Sequence, residues 1–269
     1  MSGRIATGGT MSKLTQYSLA LGLLTAVAPE SRGAGVDPRD VVGKFAHFDV
    51  VAYDDKQLLG TMKSMVITYG ITEFLLEGEH LIERDTFCHA EHKSNLPVHS
   101  QVPDEFTRNI VPRTAEVTVG NGTQSWDFWR PETPTGIGVH FDDPVTDAMP
   151  KNARDERISD DDEDGHPGVT VYLTSGPVKG QLYLARRERF AYELRYITQD
   201  LLQGVVHDSS EQVTLGSQPF FLSHGRYHPV QHGDLSKSPI TLKRLPQQYD
   251  CDSLMAERDQ WFPPVPSLH

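Results

Sequence analysis

Short alternating runs of apolar residues, broken by Gly, Asn and Asp, dominate the chain from Val41 onward. That pattern limits the fold more than any other feature, because side chains on a strand alternate between faces with period two. In 117–129, Val117 and Val119 alternate with Thr118, and Trp126 and Phe128 alternate with Ser125 and Asp127. Gly120-Asn121-Gly122 lies between them and supplies the positive φ angles of a tight hairpin turn. The run Phe74–Ile82 predicts a second hairpin turning near Gly78. Asp54-Asp55 predicts a turn between strands at 43–53 and 57–69, with Met65, Ile67 and Tyr69 sharing a face of the latter.

From Gly180 to Gln199 two periods compete. As a strand, Phe190, Tyr192, Leu194 and Tyr196 share one face; as a helix, Leu182, Phe190, Leu194, Ile197 and Leu201 form a stripe. Aromatic richness favours strands. The strand pattern also puts Arg186 and Glu188 on the apolar side, where a buried pair needs mutual compensation. It marks a bulge or a ligand cavity. Short helices are predicted near Pro103–Asn109 and Ser253–Asp259. The fold class is all-β, with few short helices: an antiparallel up-and-down barrel of lipocalin-like shape, or a two-sheet sandwich. Closure into a barrel removes exposed strand edges and is the first choice.

The ends read differently. Residues 1–36 hold Arg4 and Lys13 ahead of an apolar stretch from Leu19 to Ala28, with Ala26-Val27-Ala28 as a small-x-small cleavage site. That predicts a signal peptide; a disordered N-terminus is the competing reading, and Met1 and Met11 are both candidate starts. Export places the protein outside the cytoplasm, periplasmic or secreted. Residues 37–260 are expected to form a single β-rich domain carrying an acidic insertion at 142–168, and 261–269 a Pro-rich tail, loose or docked on the surface. No apolar stretch is long enough for a membrane helix. With 37 acidic against 25 basic residues, the net charge of −12 leaves no polyanion-binding footprint, so nucleic acid is not an expected partner.

The acidity is concentrated. Asp142 to Asp164 holds ten acids against three bases. Its end, Asp160-Asp161-Asp162-Glu163-Asp164-Gly165-His166-Pro167-Gly168, fits D-x-D-x-D-G-x-P-G. Asp side chains at alternate positions of a curling loop point to one centre, and Ca²⁺ wants six to eight hard oxygen ligands. This stretch resembles the calcium loops of thrombospondin type 3 repeats, dockerins and EF-hands, and similar loops of exported bacterial proteins. The resemblance implies Asp160, Asp162 and Asp164 as side-chain ligands, His166 through its backbone carbonyl, and Gly165 at the sharp turn. Position twelve, where an EF-hand has a bidentate Glu, is Val171, and 169–174 reads as a strand. Asp155, Asp147 and Asp143 are then the expected suppliers of missing ligands. The expectation is a structural calcium site rather than a sensor.

Cys88 and Cys251 are the only cysteines, which in an exported protein predicts one disulfide. Buried thiols or a reactive Cys88 are the alternatives. His89 and His92, and His224, His228 and His232, match no zinc spacing and read as ordinary polar histidines. No G-x-S-x-G elbow, P-loop or G-x-G-x-x-G occurs. The functional expectation is an exported, non-enzymatic β-protein with a structural calcium loop, acting as a binding or envelope-surface module toward a cell-envelope partner. A barrel carrying a small apolar ligand among Trp126, Phe128, Phe190, Tyr192 and Tyr196 is the alternative. A hydrolase with a non-local His/Asp site ranks third.

Overall fold

The computed structural model describes residues 35–57, 60–110, 113–220, 222 and 229–268. The expected signal segment, apart from its last two residues, and His224 and His228 lie outside them. In chain order the strands are β1 (Gly43–Gln57), β2 (Gly60–Glu77), β3 (His80–Ser94), β4 (His99–Gln101), β5 (Arg113–Val119), β6 (Phe128–Arg130) and β7 (Thr135–Ile137). There follow β8 (Val169–Ser175), β9 (Val178–Glu188), β10 (Phe190–Thr198), β11 (Leu201–Asp208), β12 (Glu211–Gln218), β13 (Val230–Gln231) and β14 (Pro239–Leu245). Short helices α1 (Asp104–Asn109), α2 (Cys251–Ala256) and α3 (Arg258–Trp261) fall where the sequence predicts helices.

The protein is all-β. Part of the sheet closes on itself in the order β1-β2-β3-β5-β6-β10-β11-β14 and back to β1, with every pairing antiparallel. Spatial order follows chain order, so this ring is an up-and-down barrel of eight strands. The strands left out are excursions. β12-β9-β8-β4 extend outward from the second half of β3, and β7 pairs with β9. β3 therefore serves two structures. The change comes at a bulge, where Tyr69 pairs with His89 and Gly70 with Phe87, leaving Cys88 as the extra residue.

Two turns differ from the sequence expectation and one agrees. Glu77 pairs with His80, so Gly78 (φ +65°) and Glu79 form the predicted two-residue turn. Asp54 and Asp55 do not turn: β1 runs on to Gln57, paired opposite Gly60. Long-range pairing with β2 overrides the local turn preference of two aspartates. At the predicted Asn-Gly turn, β5 and β6 do pair, but Val119 faces Phe128 and the Gly120 N–H donates to the Asp127 carbonyl at 2.7 Å. The connection is therefore a longer loop, in which the Asn121 side chain accepts from the Thr123 N–H at 3.1 Å.

Gly180–Gln199 is two strands. Phe190, Tyr192, Leu194 and Tyr196 all face the barrel interior, as the period-two reading requires. The interior is filled by side chains: Phe45, Phe74, Phe128, Tyr192, Leu194, Leu202 and Leu242 are buried and form one cluster. Trp126 is not part of it. β1 and β2 are buried on their outer face too. Phe48, Val50, Met65, Ile67 and Tyr69 pack there beneath Phe262, Val265 and Leu268 of the C-terminal segment, so the Pro-rich tail is docked.

Candidate functional site

The acidic loop closes between two fixed points. Ser159 accepts from the Gly168 N–H at 2.7 Å, and Asp160 and Gly168 form a parallel bridge. Gly165 (φ +84°) makes the sharp bend and Gly168 (φ +88°) the exit. A Cβ on Gly168 would sit 2.1 Å from the Leu184 carbonyl oxygen, so both φ and space demand glycine there. Asp161 points away and accepts from the Gly138 N–H at 2.5 Å, anchoring the loop to the β7 exit.

Asp160, Asp162 and Asp164 converge: one carboxylate oxygen from each lies within 4.8 Å of the others. Two oxygens bound to one Ca²⁺ are at most ~5 Å apart, given ligand distances of ~2.3–2.6 Å. Neighbouring donors hold the carboxylates. Asp160 accepts from the N–H groups of Asp164 (3.1 Å) and Gly165 (2.9 Å), Asp162 from the Thr170 N–H (2.7 Å), and Asp164 from the His166 N–H (2.9 Å) and the Thr170 hydroxyl (2.5 Å). Asp162 Oδ1 is buried and has no hydrogen-bond partner among the described residues. Burial pushes the pKa of Asp162 up, the Thr170 N–H offsets part of that, and Asp164 and Asp160 raise it again. The His166 ring stacks on Tyr183 at 4.2 Å, away from a ligand role.

Asp143, Asp147 and Asp155 are not among the converging carboxylates. Asp143 and Asp147 close their own turn, in which the Asp143 N–H donates to Asp147 at 3.0 Å and the Thr146 hydroxyl donates to Asp143 at 2.7 Å. Asp155 accepts from Arg157 Nε at 2.9 Å and Nη2 at 2.8 Å. Asp155 has a local cation two residues away, and that satisfies it at home. The structure groups none of these three with Asp160, Asp162 and Asp164.

A second concentration of charge lies inside the barrel, and sequence reasoning missed it. Alternation on β1 turns His47 and Asp49 inward; on β3 it turns Glu83 and Asp85 inward, on β5 Arg113 and on β6 Arg130. All six are buried. Thr72 uses its one proton to donate to Asp85 at 2.5 Å, so it accepts from His47 Nδ1 at 2.7 Å. His47 Nε2 lies 2.8 Å from Asp49. Both ring nitrogens therefore donate, and His47 is an imidazolium. Burial alone would lower its pKa; the bonds to Asp49 and Asp85 outweigh that and push it up to about 10.

The neighbouring carboxyls diverge. Burial and the charge on Asp85 drive Glu83 well up. Asp85 is driven down, the bonds from its neighbours overcoming burial. Arg130 Nε reaches Glu83 at 3.3 Å, and its guanidinium lies 4.6 Å from the Phe190 ring centre. Arg113 bonds Glu188, which also lies 3.7 Å from Arg186. Arg186 and Glu188, on β9 and partly exposed, thus join the buried charges through Arg113.

Cys88 and Cys251 form a disulfide, with Cα atoms 5.2 Å apart. His89 pairs with Asp104 at 2.6 Å, His92 with the Ser100 hydroxyl at 2.7 Å, and His232 accepts from the Asp234 N–H at 3.0 Å. Among the described residues, the aspartate trio is the one group of three or more metal-type side chains that converges. No protein-family model, curated protein or solved structure matches the chain. Among the described residues no helix is long and apolar enough to cross a membrane.

Proposed function

We propose that the protein is an exported, non-enzymatic β-barrel module whose acidic loop binds one Ca²⁺ as a structural staple. The observation that carries this is the convergence of Asp160, Asp162 and Asp164 on one point, with the buried Asp162 Oδ1 left without a protein partner. Asp160, Asp162, Asp164 and the His166 backbone carbonyl are the protein ligands, and water completes the shell. The ion cancels repulsion among carboxylates that have no cation in the loop. It thereby joins the β7 exit to the start of β8 through Asp161 and Asp162. The Cys88–Cys251 disulfide supports a location outside the cytoplasm, where such bonds persist. The barrel's outer surface then serves as the binding face toward a cell-envelope partner.

Calorimetric titration with Ca²⁺ is expected to release or absorb saturable heat in the wild type and none in Asp162→Ala/Asp164→Ala. At ~100-fold excess over Kd the ion adds about 2.7 kcal/mol, removable by EDTA. Absence of both the heat and the EDTA-sensitive melting shift would sink the calcium reading.

A further inference from the structure

The loop between β5 and β6 holds an asparagine that its turn does not require. A tight Asn-Gly hairpin would need Asn121 in the left-handed region. The strands are instead joined across residues 120–127, and among the described residues Glu163 is the one non-glycine residue with positive φ. In this loop Asn121 acts through its side-chain oxygen, which accepts from the Thr123 N–H at 3.1 Å and from the Thr123 hydroxyl at 2.6 Å. An aspartate oxygen would accept the same bonds. The amide nitrogen Nδ2 is what separates asparagine from aspartate, and it makes no hydrogen bond among the described residues. Asn121 and Thr123 are both exposed.

We infer that Asn121 is a glycosylation site, with an oligosaccharide linked through Nδ2. The inference rests on the export reading above and goes beyond it. Asn121-Gly122-Thr123 is the acceptor triplet N-x-T with a non-proline centre, and none of the other asparagines, Asn95, Asn109 and Asn152, opens one. A glycan is bulky and hydrophilic, so it is tolerated only where the acceptor nitrogen reaches water and carries no bond of the fold. Asn121 meets both conditions. In the transfer, Nδ2 attacks the anomeric carbon of an oligosaccharide carried on a lipid pyrophosphate. The bond from that carbon to the pyrophosphate oxygen breaks, the lipid pyrophosphate leaves with the electron pair, and one Nδ2 proton passes to a base of the transferase. Such transfer happens outside the cytoplasm, where the Cys88–Cys251 disulfide also persists.

The test uses the full chain, secreted from a eukaryotic cell line behind a host leader peptide. The readout is intact mass before and after a peptide:N-glycosidase, which cuts the glycan away and leaves aspartate. The wild type should lose one glycan, with Asn121 converted to Asp. Thr123→Ala should carry none. Asn121→Asp keeps the oxygen that Thr123 bonds, so it should carry no glycan and melt with the deglycosylated wild type. A wild-type mass equal to that of the bare polypeptide overturns the inference, and so does a glycan that persists in Asn121→Asp. A parallel preparation without the host leader tests export by itself, and should also be secreted and glycosylated. Retention of an unglycosylated chain there, beside a glycosylated leader form, would overturn the export reading and not the acceptor site, so the two failures are distinguishable.

Discussion

The loop at 160–168 and the belt inside the barrel are built from the same acidic residues and answer to opposite physics. In the loop, acids are consecutive in sequence, largely exposed, and face one another. In the belt, they come from β1 and β3, are buried, and face Arg113, Arg130 and His47. Like charges in water tolerate one another until a cation arrives; buried charges must be paired within the chain itself. The loop's charge can be supplied from outside, whereas the belt's is part of the fold.

Breaking the belt should therefore have the largest effect. Arg130→Met leaves Glu83 and Asp85 without their nearest guanidinium and should destabilise by about 3–5 kcal/mol in urea unfolding. A loss under about 1 kcal/mol would mean the belt is not electrostatically coupled. An effect of the same order comes through pH. His47 is raised from an unfolded value near 6.5 to about 10, so its contribution is fully present below the unfolded value. It is lost as pH rises through about 10. Stability measured across pH 6–11 should fall in that window, and His47→Gln should flatten the difference between its ends. Below these comes calcium removal from the loop, read as the EDTA-sensitive shift already described. The smallest effect is expected at Asp155→Ala. This carboxylate is held low by its bond to Arg157, at the surface, and solvent screens the pair. Its removal should leave calcium binding intact; loss of calcium heat there would return Asp155 to the ligand set.

The contrast also explains what was readable beforehand. The loop is legible because its chemistry is local: nine adjacent residues carry the spacing and both glycines. The Gly78 turn and the Phe190–Tyr196 face are legible for the same reason. The belt is not, because His47, Asp49, Glu83 and Asp85 occupy alternating positions that look like a solvated face. Only closure of the ring, through β3 with β5, turns that face inward. Asp54-Asp55 misleads in the same manner, since its strand state depends on β2. Trp126 shows the reverse error: expected among the interior aromatics, it lies in the loop before β6 and outside the interior cluster.

The disulfide at the β3 bulge has a mechanical consequence. Tension applied between the two ends of the chain passes from Cys88 directly to Cys251. Residues 89–250 lie off that load path, and with them the second sheet and the acidic loop. A protein held at one end and pulled at the other would unravel β1, β2, the first half of β3 and the docked tail, while residues 89–250 stayed enclosed within one covalent ring.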